Sequence, residues 1–173
     1  MEILENREDW LKEFEQGWLA HFQETGELDW NRYKRPANQE VPGGPGLDVS
    51  QARLVLISTA GGYLKEEQEP FDAANPLGDY SLRTFLITTP FDQIAFSHDH
   101  YDHRAVDDDP EVLLPLRHLE DMVAQGQIGE LAESVISLMG YQPVVTCTLD
   151  ETIPAIISTA NKLSAEGALL VPS

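Results

Sequence analysis

Arg53-Leu54-Val55-Leu56-Ile57-Ser58 is the stretch of sequence that decides the fold. Its unbroken apolar run is typical of a central strand that is covered on both faces, as in parallel sheets. The run leads directly into Thr59-Ala60-Gly61-Gly62. Small residues at the end of a buried strand let backbone N–H groups approach a ligand, although paired glycines also form simple turns. Gly61 and Gly62 are therefore candidate substrate-binding residues.

The segments that follow alternate between strand and helix patterns. The predicted strands are 81–86, 94–96, 134–140 and 168–173, and the predicted helices are 111–125 and 151–165. This order favours a three-layer α/β fold with a mainly parallel, Rossmann-like sheet. In such sheets ligands bind at the carboxyl ends of strands. Those ends are predicted at 58–62, 97–103, 139–141 and Ser173.

The first 47 residues have a different pattern. Apolar and aromatic residues recur at spacings of three and four over 6–23, which predicts an amphipathic helix. The Gly/Pro density of 41–46 prevents regular structure there. We expect a single domain over 1–173. It would consist of an N-terminal helix and irregular arm (1–47) and an α/β core (48–173) that lacks its C-terminal elements.

The overall charge narrows the range of partners. The chain has 30 acidic and 11 basic residues, a formal net charge of -19. Nucleic acid and anionic membrane surfaces would be repelled by this excess of negative charge. The N-terminus lacks the apolar run of a secretory signal, so a cytoplasmic location is expected. A single cysteine, Cys147, excludes an internal disulfide and a cysteine-only metal site.

The second conspicuous stretch is Ser97-His98-Asp99-His100-Tyr101-Asp102-His103, which holds three of the five histidines. Side chains alternate along extended backbone, so part of the set can share one face. Imidazole and carboxylate groups suit either a divalent cation such as zinc or acid–base chemistry near neutral pH. The candidate catalytic residues are His98, Asp99, His100, Asp102 and His103; the possible metal ligands are His98, His100, Asp102 and His103. Tyr101 is a candidate substrate-binding residue.

Arg83 is the remaining candidate substrate-binding residue. It follows a loop, 65–80, that is long enough to be a candidate binding loop. A guanidinium group could hold a substrate carboxylate in two parallel hydrogen bonds. It could equally pair with one of the aspartates nearby.

One interpretation of the histidine cluster is a hydrolase. The spacing His98-x-His100-x-Asp102-His103 resembles the zinc motif of the metallo-β-lactamase superfamily, in which two metal ions activate water. That superfamily has a β-rich sandwich before the motif and needs a further histidine and a bridging aspartate downstream. Here the only later histidine is His118, on a predicted helix. A binuclear zinc hydrolase is therefore kept as an alternative.

A second resemblance covers nearly the full length. The segments 57–64, 78–81, 97–103 and 139–141 resemble, in this order, the B-subunit family of glycine, sarcosine, betaine and D-proline reductases. The resemblance implies a reductase that cleaves a C–N bond of a small amino acid or amine, with selenocysteine or cysteine as nucleophile. It also implies other reductase subunits or a thiol reductant as partners, and we expect an oligomer.

The resemblance also concerns the last residue. In similar members the strand corresponding to 168–172 leads directly to the selenocysteine or cysteine, whereas this chain ends at Ser173. Selenocysteine is encoded by a codon that otherwise means stop. We therefore expect the redox residue after Ser173, with a naturally short paralogue as the alternative. Cys147 has no second cysteine to resolve it and is interpreted as a bystander thiol.

A noncatalytic assembly subunit is the third possibility. In that case the aromatic face of the first helix, which includes Trp10, Trp18 and Phe22, would mediate association with other subunits.

Overall fold

A computed structural model describes residues 4–40, 43–97 and 101–173. The chain divides into two compact units, 1–45 and 46–173. The boundary lies within two residues of the one expected at 47/48. The assignment of both parts to a single domain stays a prediction.

The N-terminal unit is a helix packed on an extended arm. The helix runs through α1 (Arg7–Phe14), a π-helical stretch (Glu15–Leu19) and α2 (Ala20–Thr25), and ends at Gly26 in the left-handed conformation. Trp10, Phe14 and Trp18 are buried, and Tyr33 of the arm meets their rings edge-on. The Trp10 indole N–H donates to the Lys34 carbonyl at 2.8 Å. The aromatic face thus forms a local core, as expected of an amphipathic helix.

The second unit is built on a mixed, mostly parallel sheet. Its strands are β1 (Arg53–Ser58), β3 (Arg83–Leu86), β5 (Glu130–Leu131), β6 (Ser134–Ser137) and β7 (Gly167–Val171), and β2 (Gly62–Leu64) and β4 (Ile94–Phe96) pair separately as an antiparallel ribbon. β5 and β6 pair with successive parts of one edge of β1, and β7 pairs with the other edge. β3 joins β6 antiparallel. The predicted α/β fold is confirmed, whereas the Rossmann-like assignment stays a prediction.

Alternate side chains of β1 support two separate apolar layers. Leu54 and Leu56 pack into one core with residues of α4 (Leu116–Ala124). Val55 and Ile57 pack into the other core, against residues of α6 (Ile153–Lys162). Successive side chains of a strand point to opposite faces of the sheet, so Leu54 and Leu56 face one core and Val55 and Ile57 face the other. The sheet therefore has a helix on each face.

Two helix boundaries differ from the prediction. The helix expected over 111–125 begins only at Leu116, because a separate 3-10 turn (Pro110–Val112), capped by Asp109, precedes it. The helix expected over 151–165 begins much earlier, with α5 (Val145–Cys147) and a π-helical stretch (Thr148–Thr152). Cys147 therefore lies in the first turn of this helix, whereas the predicted start at residue 151 puts it before the helix. Burial and the nearby Glu151 and Asp150 carboxylates raise the pKa of its thiol.

β7 is an edge strand whose apolar residues face both ways. Among the described residues β7 pairs only with β1. Leu170, the register partner of Ile57, is 59% exposed, whereas Ile57 is 7% exposed.

In the part of the chain described, no helix is long and apolar enough to cross a membrane.

The difference in burial between Ile57 and Leu170 leads to a stability prediction. Ile57→Ala should lower the free energy of unfolding by about 2–4 kcal/mol, because a cavity remains in a closed core. Leu170→Ala should cost less than about 1 kcal/mol, since the side chain is already in contact with water. Urea denaturation of both variants measures the difference. Equal losses would contradict the exposed position of β7.

Candidate functional site

The carboxyl ends of β1 and β6 meet at Thr59 and Ala60. Ala60 forms an antiparallel bridge with Met139, and the Gly140 N–H donates to the Thr59 carbonyl at 2.9 Å. The Gly61 N–H donates to the Leu138 carbonyl at 2.9 Å. The Ser97 N–H donates in turn to the Gly61 carbonyl at 2.9 Å. Three of the four predicted strand ends are therefore joined by short backbone hydrogen bonds.

The fourth strand end, that of β7, is held by the Thr59 side chain. The Ser173 N–H donates to Thr59 Oγ1 at 2.9 Å, and the Ser173 hydroxyl contacts the Thr59 carbonyl at 3.2 Å. The Thr59 N–H donates to the Val171 carbonyl at 3.1 Å. All four ends thus converge around Thr59. For β1, β6 and β7 this is expected of parallel strands, whereas Ser97 follows β4, which lies in the antiparallel ribbon and not in the sheet where it was predicted.

Tyr101 connects the histidine-rich segment to this point. Its hydroxyl donates to the Ala60 carbonyl at 3.1 Å, and its ring lies parallel to the His103 imidazole with 4.4 Å between centroids. Burial of the phenol, together with the charge of Asp107, raises the pKa of Tyr101 to about 12. Tyr101 is therefore a neutral hydrogen-bond donor at physiological pH, and it orients the His103 ring.

Asp102 is engaged by its neighbour Arg104. The Arg104 side chain reaches both carboxylate oxygens, with Nε 2.9 Å from Oδ2, and the Arg104 N–H donates to Oδ1 at 3.0 Å. These hydrogen bonds lower the pKa of Asp102, which is exposed. The Asp102–Arg104 pair lies at the start of α3 (Arg104–Asp108).

The remaining cluster residues, His98, Asp99 and His100, lie outside the described residues. Within the described ranges, no three histidine, cysteine or acidic side chains are grouped as metal ligands would be. Asp102 and His103 are the two possible ligands whose positions are known. The roles assigned to this cluster, acid–base or metal-binding, stay predictions.

The two glycines have different surroundings. Gly61 has a φ of +70°, in the left-handed region, and its N–H is hydrogen-bonded within the fold. Gly62 begins β2, and a Cβ atom built on it would lie 3.5 Å from Ser137 Oγ and from the Phe96 ring. Ser137 Oγ is itself buried and makes no hydrogen bond to any described residue. The proposed role of both glycines as ligand donors stays a prediction.

Arg83 holds the long loop in place. Its guanidinium donates to the carbonyls of Glu69 and Leu82 and to Ser81 Oγ, at 2.8–3.1 Å. It also lies over the Phe71 ring at 4.5 Å from the centroid. These hydrogen-bond acceptors are two backbone carbonyls and a hydroxyl, and the Arg83 charge also lowers the pKa of Asp79, one of the nearby aspartates. Substrate binding by Arg83 stays a prediction.

Sequence reasoning missed how the end of this loop is held against 141–152. Tyr141 donates to the Pro76 carbonyl at 2.9 Å, and Thr152 donates to the Tyr80 carbonyl at 3.1 Å. Gly78 has a φ of +87°, and a Cβ atom there would lie 2.6 Å from the Tyr141 carbonyl oxygen. Gly78 was the signal for this arrangement in the sequence, because glycine readily adopts the left-handed backbone conformation that other residues avoid.

Asp79 is the acidic residue that orders this part of the loop. Its carboxylate accepts from the Asp72 N–H at 2.9 Å and from the Ser81 N–H and hydroxyl. Burial acts to raise the pKa of Asp79, but these hydrogen bonds and the Arg83 charge outweigh it and leave the pKa lowered. The ionised form is therefore the one the fold stabilises. That contribution is present above about pH 4, the ordinary value, and is lost as the pH falls through the lower folded pKa.

The two glycine environments lead to a paired prediction. Gly78→Ala should cost more than about 2 kcal/mol, because the left-handed backbone and the contact with the Tyr141 carbonyl both oppose a Cβ. Gly62→Ala should change stability by less than about 1 kcal/mol, since its Cβ would meet its neighbours at ordinary contact distances. Thermal denaturation of the two variants measures both changes in stability. The reverse order would show that the loop is not held as described.

The Tyr101 environment leads to a pH prediction. Because its pKa is higher in the folded state than the unfolded value of 10, the unfolded state loses its proton first. The free energy of unfolding should therefore fall as the pH rises from 10 to 12. Tyr101→Phe should reduce this fall, and ultraviolet absorbance should show one fewer late-titrating phenol. An unchanged late titration in Tyr101→Phe would assign it to another tyrosine.

The family model and the two relatives described here are all named as B components of glycine, sarcosine or betaine reductases. A family model described as glycine/sarcosine/betaine reductase selenoprotein B matches residues 27–161. The sarcosine reductase complex component B subunit beta of Peptoclostridium acidaminophilum is 27% identical over 119 residues, which are 67% of this chain and 27% of that protein. The glycine reductase complex component B subunit gamma of Carboxydothermus hydrogenoformans is 29% identical over 108 residues, 61% of this chain and 25% of that protein.

The chain thus spans about a quarter of the length of these curated relatives. No solved structure matches it.

Proposed function

Since the chain belongs to the glycine/sarcosine/betaine reductase selenoprotein B family, we propose that it is a subunit, or part of one, of a reductase complex. The reaction would be the reductive cleavage of a C–N bond in a small amino acid or amine, dependent on a selenol or thiol. The family match over 27–161 carries the proposal. Its partners would be the other subunits of the complex, as the names of the relatives suggest, together with a thiol reductant.

The convergence of the strand ends supports a site around Thr59. The end of β7 lies against Thr59, and the Tyr101 hydroxyl lies against the adjacent Ala60 carbonyl. We propose that the selenocysteine or cysteine directly follows Ser173. It would therefore lie close to Thr59. The histidine-rich segment would then lie beside the nucleophile, because Tyr101 ties that segment to Ala60.

The proposed chemistry balances with a dithiol as reductant. A selenolate or thiolate forms a bond to the substrate α-carbon while the C–N bond breaks and the amine leaves with its electron pair. A thiolate then attacks the selenium or sulfur, and the carbon fragment leaves with a proton. A second thiol reduces the resulting mixed bond and completes a disulfide. The lower pKa of a selenol keeps it ionised at neutral pH, which favours selenium over sulfur.

Within this chain the histidines would handle protons. Amine release and protonation of the carbon fragment both need acid–base groups near pH 7, where imidazole is effective. His103 is the member of the cluster whose ring orientation is described, held by its stack on Tyr101. His98, Asp99 and His100 would complete the set, with a divalent metal as the other use of the same ligands.

The alternatives receive less support. The hydrolase would need the β-rich sandwich of its superfamily, whereas the sheet here is mostly parallel with a helix on each face. An assembly role for the first helix is limited by the burial of Trp18, which is 1% exposed. Trp18→Ala would therefore disturb the N-terminal unit itself before it tested any association.

The proposal predicts a longer, selenium-containing product. The codon after Ser173 should be read and the gene, with its downstream sequence, expressed in a host that inserts selenocysteine. Mass spectrometry should then find a product longer than 173 residues with one selenium atom. A sense codon other than cysteine, or no continuing reading frame, would contradict the proposed nucleophile. About two zinc ions per chain would instead favour the hydrolase.

A further inference from the structure

We propose that an extended peptide segment of a partner protein binds along the outer edge of β4, in the groove between β4 and α3, with a basic side chain facing Asp107. Its main chain would add a strand to the β2–β4 ribbon, and its apolar side chains would cover the floor of the groove. The inference is independent of the reductase proposal, because it rests on strand pairing, shape and charge.

The register of the β2–β4 ribbon determines which backbone groups of β4 point outwards. The Ser97 N–H donates to the Gly61 carbonyl at 2.9 Å, and Phe96, the preceding residue, lies opposite Gly62. Hydrogen-bonded and non-hydrogen-bonded pairs alternate along an antiparallel ladder. The N–H and C=O groups of Phe96, and those of Ile94 two residues earlier, therefore point away from β2. Among the described strands β4 pairs only with β2, so this edge can accept another strand.

The fold closes two other strand edges with one side chain. Gln68 Oε1 accepts from the Leu64 N–H at 3.0 Å, on the outer edge of β2, and Gln68 Nε2 donates to the Thr84 carbonyl at 2.8 Å, on the outer edge of β3. A side chain in this position prevents another strand from pairing there. On β4 the Ile94 N–H donates to the Phe91 carbonyl in the preceding turn. The groups that a new strand would use are the Phe96 N–H and the carbonyls of Ile94 and Phe96.

The groove beside β4 has the size and the lining to hold a peptide. Its volume is about 440 Å³, and three successive strand residues, Ile94, Ala95 and Phe96, line it together with Val106 of α3. Successive side chains of a strand alternate between its faces, so lining by three residues in a row indicates that the strand edge borders the groove. Ile94 and Val106 are buried, so the fold fixes an apolar floor. An apolar peptide side chain would lose contact with water against this floor, which favours binding.

The charges of the groove favour a basic peptide. Asp107 lines it, and both Asp107 and the adjacent Asp108 of α3 are exposed. Lys65 is the basic residue of the lining, and its ammonium group donates to the Asp92 carbonyl at 2.7 Å. The net charge of -19 adds a long-range attraction for a positively charged segment. A lysine or arginine of the peptide would therefore face Asp107.

A peptide bound at this edge would lie beside the histidine-rich segment. β4 leads directly into that segment, and His103, stacked on Tyr101, lines the same groove. The Tyr101 hydroxyl in turn contacts Ala60, where the strand ends converge. The partner would therefore approach the candidate site from the side of β4.

The test is an NMR titration of the full chain with a blocked hexapeptide in which one lysine precedes alternating valine and threonine residues. The peptide should bind saturably, with shifts at Phe96 and Val106. Two further probes carry one N-methyl group each, on the central valine or on the adjacent threonine. Adjacent N–H groups of a strand point to opposite sides, so only one of the two methyl groups should face β4. That probe should bind about tenfold more weakly or worse, and the other within about twofold of the parent peptide.

The second arm of the test concerns charge. A probe with ε-acetyllysine in place of lysine has a side chain without the positive charge. It should bind the unmodified chain about two- to fivefold more weakly, the range expected of an exposed ion pair. Asp107→Asn should remove this difference between the two peptides, whereas Asp108→Asn, the same change at the adjacent residue of α3, should keep it.

Four results would each overturn the inference. They are no saturable binding, shifts confined to other surfaces such as Ala168 of β7, equal binding of the two N-methylated probes, and a charge effect that persists in Asp107→Asn. None of them bears on the reductase proposal, which depends on the selenium-containing product.

Discussion

The rest of the α/β unit depends on the pairing of β1 along both of its edges. β5 and β6 occupy one edge and β7 the other, so each backbone polar group of a buried strand can be satisfied. Its alternate side chains build the cores beneath α4 and α6. Its carboxyl end, at Thr59 and Ala60, then holds the ends of the neighbouring strands and the Tyr101 hydroxyl. One strand thus determines the sheet, both cores and the point where the strand ends converge.

The outline of the fold could be predicted because it follows from local patterns. The apolar run 53–58 predicted a strand covered on both faces, and the periodicity of the later segments predicted helices on each side. The helix boundaries were less accurate. Asp109 caps a separate turn before Leu116, and the helix containing Cys147 begins at Val145 without a side-chain cap, well before the predicted start at Glu151.

The site could be predicted only in part, because sequence spacing does not determine which hydrogen-bond partner a polar group will have. The convergence of the β1, β6 and β7 ends follows from topology and was expected, whereas the separate β2–β4 ribbon was not. The engagement of Arg83 by carbonyls of its own loop, and of Asp102 by Arg104, depends on short-range geometry. The Thr152 hydroxyl donates to the Tyr80 carbonyl 72 positions away, and the two residues belong to no motif. Only the three-dimensional arrangement relates them.

The proposed reductase function is tested most directly by amine release from the longer, selenium-containing product proposed above, assembled with the subunits proposed as its partners. With a dithiol present, glycine, sarcosine or trimethylglycine should yield ammonia, methylamine or trimethylamine, respectively, with one disulfide formed per amine. Replacement of the residue after Ser173 by alanine should abolish release. Amine release that persists in that variant, or that proceeds without any thiol, would contradict the account.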